Sequence, residues 1–185
     1  MLDSWVATVG VWFARDAPTN VSSPDVRCCN DSVVVFHSDD ASHGLEWRYV
    51  STIAGPRRFA GGDEGPNENA LLMHPDGETL TVLLRTAGGE GWPDHHHQPY
   101  WRGTSSTQGR TWGNWSRTPD AVKSGRPAHA TLSINGTSTL LLSSGRPALG
   151  IHESADGLGE AWASYDIPTE HNKLVTSPAL RFCER

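Results

Sequence analysis

The 185-residue sequence predicts an all-β fold, a short array of propeller blades, each a four-stranded antiparallel sheet. Three observations lead there. A turn pattern ending in tryptophan recurs along the chain, two hairpins with matching turn signals precede two of its copies, and glycine and proline interrupt every helical period. With 19 Gly, 12 Pro and 8 Trp, the composition suits a loop-rich β protein better than a helical bundle.

The turn pattern is clearest at Ser105-Ser106-Thr107-Gln108-Gly109-Arg110-Thr111-Trp112, which fits Ser-x-Asp-x-Gly-x-Thr-Trp with Thr107 at the aspartate position. A short polar side chain bonds nearby backbone, glycine supplies a positive φ, and tryptophan anchors the turn on the sheet. Looser copies run from Ser38-Asp39-Asp40 to Gly44-Leu45-Glu46-Trp47, and from Ser154-Ala155-Asp156 to Gly159-Glu160-Ala161-Trp162. The tryptophans Trp47, Trp112 and Trp162 are 65 and 50 residues apart, near the length of a blade repeat.

Taken in order, residues 1–30 are poorly defined, with Trp5–Phe13 readable as a strand and a Pro- and Ser-rich loop after it. Ser32–His37 (SVVVFH) is a β-branched strand leading into the first turn, and Trp47–Ile53 is the strand leaving it. Ala70–His74 and Thr79–Arg85 form a hairpin around Asp76-Gly77. Ala130–Ile134 and Ser138–Ser143 repeat it around Asn135-Gly136. Each hairpin is followed by a loop, a strand, the tryptophan turn and another strand. The chain is thus a single domain with blade-like units at 32–66, 68–118 and 126–166, and no linker marks a second domain.

Charge and composition exclude several functions. A net charge of −6 and a pI near 5.8 argue against a general nucleic-acid surface. No apolar run reaches the ~20 residues of a membrane span. Cys28, Cys29 and Cys183 are too few for a disulfide framework. Sequons at Asn20, Asn30, Asn114 and Asn135 lean towards a secretory route, while the first residues lack the cationic start of a signal peptide, so the compartment stays open. His95 and His97 in Asp94-His95-His96-His97 share a face of an extended strand, but no third ligand has recognisable spacing. No metal or cofactor is expected.

The turn pattern resembles the Asp-box, or BNR repeat, of the sialidase (neuraminidase) superfamily. GPNENALLMHPDGETLTVLLRT is similar to the family segment in which a glutamate precedes a strand, an Asp-Gly turn and a strand ending in arginine. PYWRGTSSTQGRTW, SGRPAHATLSINGTSTLLLSSGRP and YDIPTEHNKLV continue the likeness in the same order, over roughly residues 32–175. The resemblance implies part of a six-bladed propeller, three to four blades' worth. It also implies an exo-α-sialidase-type glycoside hydrolase acting on terminal sialic acid, in which arginines bind the sugar carboxylate and a tyrosine, with a glutamate as its base, is the nucleophile. Arginine suits that carboxylate because its planar fork makes two parallel charge-assisted bonds.

The resemblance makes Glu68 the candidate catalytic carboxylate, at the junction between a loop and an apolar strand. Candidate substrate-binding residues are Arg85, Arg102, Arg126, Arg146, Asn69, Tyr100 and His171. Arg85, Arg126 and Arg146 stand at strand ends or starts, the last two within Gly-Arg-Pro, where glycine permits close approach and proline stiffens the backbone. The family nucleophile comes from a late blade, so Tyr100 is expected to contact substrate or serve the structure. The Phe/Tyr-Arg-Ile-Pro motif of the family is absent. The alternative reading is a propeller that binds an anionic glycan without cutting it, or an inactive fragment of a sialidase. The expected partner in either case is a sialylated glycan or other anionic sugar, with neither nucleic acid nor a membrane span involved.

Overall fold

The computed structural model describes residues 4–12, 31–39, 42, 44–55, 59, 66–86, 98–123, 127–134, 137–144, 150–154 and 156–167. Among these residues every regular element longer than a single turn is a strand. The eleven strands are β1 (Ser4–Trp12), β2 (Asp31–Asp39), β3 (Arg48–Ala54), β4 (Asn69–Met73), β5 (Leu80–Leu84), β6 (Trp101–Ser105), β7 (Gly113–Arg117), β8 (Ala128–Ile134), β9 (Thr137–Ser144), β10 (Gly150–Ser154) and β11 (Ala163–Asp166). They form three antiparallel sheets in sequence order: β1-β2-β3, β4-β5-β6-β7 and β8-β9-β10-β11. The first strand of the middle sheet, β4, lies against both β1 and β8, so the three sheets stack side by side like consecutive propeller blades.

The predicted strands are all present, with shifts at their ends. The residues before 30 contribute more than expected, because Ser4–Trp12 pairs along its whole length with β2 and places the first sheet's start well before residue 32. Counted back from the tryptophan turn, β1, β2 and β3 correspond to the second, third and fourth strands of the other two sheets. The Asn135-Gly136 turn lies outside the described residues.

Two apolar clusters hold the stack together. Val33, Val35 and Ile53 of the first sheet meet Val82 and Leu84 of the second, joined by Phe59, Trp101, Trp112 and Trp115. Ala70, Leu72, Leu83, Tyr100 and Val122 of the second meet Leu140 and Leu142 of the third, with Trp162 alongside. Side chains alternate across a strand, so β5 sends Val82 and Leu84 one way and Leu83 the other. This is why LTVLL reads as an unbroken apolar run and is buried along its whole length. Each such aliphatic side chain contributes about 1.5–3 kcal/mol on full burial.

The three turns share one geometry. Gly44, Gly109 and Gly159 have φ of 78°, 80° and 74°, which a side chain would strain. The indole N–H of the tryptophan three residues on donates to that glycine's carbonyl in each: Trp47 to Gly44 at 2.8 Å, Trp112 to Gly109 at 2.9 Å and Trp162 to Gly159 at 3.0 Å. In the third turn Asp156 accepts from the Ser154 hydroxyl and from the backbone N–H groups of Leu158 (2.9 Å) and Ala161 (3.1 Å). In the second turn Thr107 stands in for aspartate, its single oxygen accepting the Thr111 N–H at 2.9 Å. One hydroxyl thus replaces part of what two carboxylate oxygens do.

Candidate functional site

The register defines two ends in the middle sheet. Asn69 pairs Leu84, Leu84 pairs Trp101, and Trp101 pairs Arg117, so these residues form one end; Met73, Leu80 and Ser105 form the other, from which the Asp76 hairpin and the tryptophan turn project. The candidate site belongs to the first end. Beyond the paired strands the backbone continues as a narrow ladder: Asn67 N–H donates to Arg85 at 3.1 Å and Arg85 N–H to Glu68 at 2.9 Å. This ladder fixes the residue before β4 opposite the residue after β5.

The side chains follow. Arg85 Nη1 donates to Glu68 Oε2 at 2.6 Å, with the Arg85 side chain 6% exposed and that of Glu68 30% exposed. The guanidinium is therefore held inside while the carboxylate opens to solvent. Tyr100 lies close enough to feel both charges. Burial raises its hydroxyl far above the ordinary phenol range, Arg85 pulls it down and Glu68 pushes it up. Thus Glu68 and Arg85, 17 residues apart on either side of one hairpin, meet at the head of β4.

Asn69 is adjacent but occupied. Its Oδ1 accepts the Thr8 hydroxyl of β1 and its Nδ2 donates to Asn67 at 3.3 Å, so it ties the first sheet to the second beneath Glu68. Gly10 supports the same seam: a Cβ there would sit 2.9 Å from the Asn67 carbonyl.

Two of the candidate substrate contacts have partners within the fold. Tyr100 has no exposed surface, because its ring fills the core between the second and third sheets. Arg102 points across to the turn of the third sheet, donating to Glu160 Oε1 at 2.9 Å and to the Leu158 carbonyl at 3.3 and 3.4 Å. It bridges sheets. Arg126, Arg146 and His171, with Asp94–His97, lie outside the described residues. The strand ends that flank the two arginines, Ala128 and Ser144, fall at the end of the third sheet that matches the Asn69 end of the second in strand order.

One residue at this end was not singled out by the sequence. Arg117, at the close of β7, sits over the Trp101 ring at 4.5 Å and donates to Gln98 Oε1 (2.9 Å) and the Pro99 carbonyl (3.1 Å). Phe59 stacks on the same indole, centroids 4.4 Å apart. The alternation of GNWSR, with Trp115 and Arg117 on the inner side, is the signal that marks it. It stands three strands out from Glu68, roughly 14 Å at the ordinary strand spacing, so it buttresses the blade and does not face the Glu68 carboxylate. Among the described residues no group of three His, Cys, Asp or Glu side chains converges as a metal site, and no helix is long and apolar enough to cross a membrane.

No protein-family profile matches the chain, nor does any curated protein sequence. Solved structures do match in shape. One is the Hadza microbial sialidase Hz136, at 16% identity and a TM-score of 0.49, covering 74% of this chain. Another is the leech intramolecular trans-sialidase in complex with 2,7-anhydro-Neu5Ac, at 18% identity and a TM-score of 0.47, covering 86% of this chain. The chain spans about a quarter of each of these proteins, 25% and 24% of their lengths.

Proposed function

We propose that this chain is a segment of a sialidase-like propeller that recognises a terminal sialic acid, or another anionic sugar, at the end of its blades that carries Glu68 and Arg85. The three tryptophan-anchored turns are read as Asp-boxes, peripheral turns that identify a fold and leave the chemistry to the opposite end of each blade. The observation that carries the reading is the Glu68–Arg85 pair at the head of β4, a buried guanidinium beside a part-exposed carboxylate. Arg126 and Arg146, next to the matching strand ends of the third sheet, would add the guanidinium groups that a sugar carboxylate needs. In this reading Glu68 is the catalytic carboxylate, Arg85 orients it and contributes positive charge, Asn69 anchors the neighbouring strand to β1, and Tyr100 packs the core between the sheets. His171 remains a proposed sugar contact. Arg102 is reassigned to holding the blades together.

A second reading, binding without cleavage, draws on the tyrosines. Of the three in the chain, Tyr100 is buried, and Tyr49 and Tyr165 stand on the outermost strands β3 and β11. None offers an exposed hydroxyl beside Glu68, so this chain by itself supplies no tyrosine nucleophile for that carboxylate to activate.

Release of a fluorophore from a fluorogenic sialoside by purified protein, alongside Arg126→Ala, separates the readings. Turnover lost in the variant supports hydrolysis. Arginine-dependent glycan binding without turnover supports the binding reading. If the variant alters neither, the site assignment is wrong.

A further inference from the structure

Of the four sequons, Asn114-Trp115-Ser116 is the one that falls among the described residues, and the backbone around it is specialised. It lies within β7, the last strand of the middle sheet, which pairs with β6 and, among the described residues, with no other strand. Opposite the sequon the register slips. Gly113 pairs Thr104 and Ser116 pairs Arg102, so three steps along β7 match two along β6. This is a β-bulge, and the extra residue falls inside the sequon.

The bulge sorts the three residues by side. Trp115 turns inward: its ring lies across Gly103, where a Cβ would come within 2.4 Å of it, and it meets Phe59 edge-on with centroids 5.0 Å apart. The indole thereby joins the apolar cluster between the first and middle sheets. Asn114 and Ser116, on either side of it, are both exposed. Asn114 has a φ of 51°, a left-handed backbone that asparagine tolerates better than most residues. Its Nδ2 donates to Thr104 Oγ1 at 3.1 Å across the strands. The bulky middle residue is thus the anchor, and the amide and the hydroxyl are left on the solvent side.

We infer that Asn114 is an acceptor for an asparagine-linked glycan. The Asn-x-Ser spacing supplies the amide and the hydroxyl that oligosaccharide transfer requires, with no proline between them. In that transfer Nδ2 attacks C1 of an oligosaccharide carried on a lipid pyrophosphate. The N–C1 bond forms as the C1–O bond to the departing pyrophosphate breaks, and Nδ2 gives up one of its two protons. The other N–H is left to bond Thr104, so the bulge accommodates the glycosylated side chain as it does the bare one. A sequon whose asparagine faced the core could not, because a hydrated sugar would be carried inside. Asn114 follows the tryptophan turn, at the opposite end of the sheet from Glu68 and Arg85, so a glycan here leaves that end open and shields an edge strand from pairing with other chains. The inference is independent of the sugar-recognition reading above.

The test is site mapping on the full chain, made in a yeast host behind a cleavable secretory leader, unaltered and as Ser116→Ala. Trypsin cuts after Arg110 and Arg117 and isolates Thr111–Arg117, which holds this sequon and no other. Peptide-N-glycosidase F in heavy-oxygen water converts a glycosylated Asn114 to aspartate and leaves a heavy oxygen in that peptide. Label in the unaltered chain, lost in Ser116→Ala, is the expected result. Ser116→Ala removes an exposed hydroxyl and leaves Asn114 and its left-handed backbone in place, so loss of label is not loss of fold. Chain retained inside the host is mapped in the same way, because transfer precedes secretion. An unlabelled peptide from the unaltered chain overturns the inference, as does label that persists in Ser116→Ala.

Discussion

Arg102, on the third strand of the middle sheet, donates to Glu160 at 2.9 Å across the seam to the next sheet's turn. The arginine is 8% exposed as a residue, while the Glu160 side chain is 60% exposed, so the two ends of this bond differ in what they contribute. Removing the arginine takes away its bonds to the Leu158 carbonyl and its packing against the turn. Removing the carboxylate takes away a partner that water replaces.

Arg102→Ala is therefore expected to cost about 1.5–3 kcal/mol and Glu160→Gln less than about 1 kcal/mol. Urea titration of both variants measures the difference. Equal losses would show that the exposed ion pair, and not the buried stem and carbonyl contact, holds the seam.

The turns differ in how many backbone groups their acidic position can satisfy. Asp156→Ala loses two N–H acceptors and the Ser154 bond and is expected to destabilise by about 1–3 kcal/mol. Thr107→Asp restores the second acceptor oxygen and is expected to stabilise by about 0.5–1 kcal/mol. The urea midpoints of the two variants, moving in opposite directions, check this.

The two turn aspartates also set an acid limit. Hydrogen bonds from the Thr79 hydroxyl, then from the Thr79 and Glu78 N–H groups, hold Asp76 down to about 2. Burial pushes Asp156 up, but the Ser154 hydroxyl and the N–H groups of Leu158, Ala161 and Gly159 together bring it below its ordinary value. A carboxyl with a lowered pKa binds protons less readily when folded than when unfolded. Its stabilisation is complete above the ordinary value of 3.8 and lost as pH falls towards the folded value. Stability should thus fall between about pH 4 and pH 2, and Asp76→Asn should flatten that fall. Thermal unfolding across this range, with the variant unchanged in slope, would contradict the assignment.

Gly109 and Gly44 share a positive φ but not their surroundings. Gly109→Ala brings a methyl to 3.0 Å from Val35, whereas Gly44→Ala meets open space. Both variants carry a left-handed strain of about 1 kcal/mol, and Gly109→Ala is expected to lose more by a further about 1 kcal/mol. Equal losses in chemical denaturation would mean that the first seam gives way without cost.

Much of the fold was legible because its signals are local. Asp76-Gly77 sets a hairpin, the spacing of glycine and tryptophan sets each turn, and SVVVFH has no other comfortable conformation than a strand. The first strand was harder to place, since Ser4–Trp12 acquires its register only from β2, across a long intervening segment. The candidate pair was legible in part. Glu68 and Arg85 flank one hairpin, so their meeting follows from that hairpin's register. The burial of Tyr100 and the reach of Arg102 depend on which sheet stacks where, and no local pattern in PYWRG carries that information.

Binding of an anionic sugar at the end that bears Glu68 and Arg85 is tested most directly by amide chemical-shift mapping with free sialic acid. Saturable shifts at residues 67–69 and 84–86, weakened by Arg126→Ala or Arg146→Ala, are the expected result. Shifts confined to the tryptophan turns at 105–112 and 154–162, or none at millimolar sugar, would contradict it.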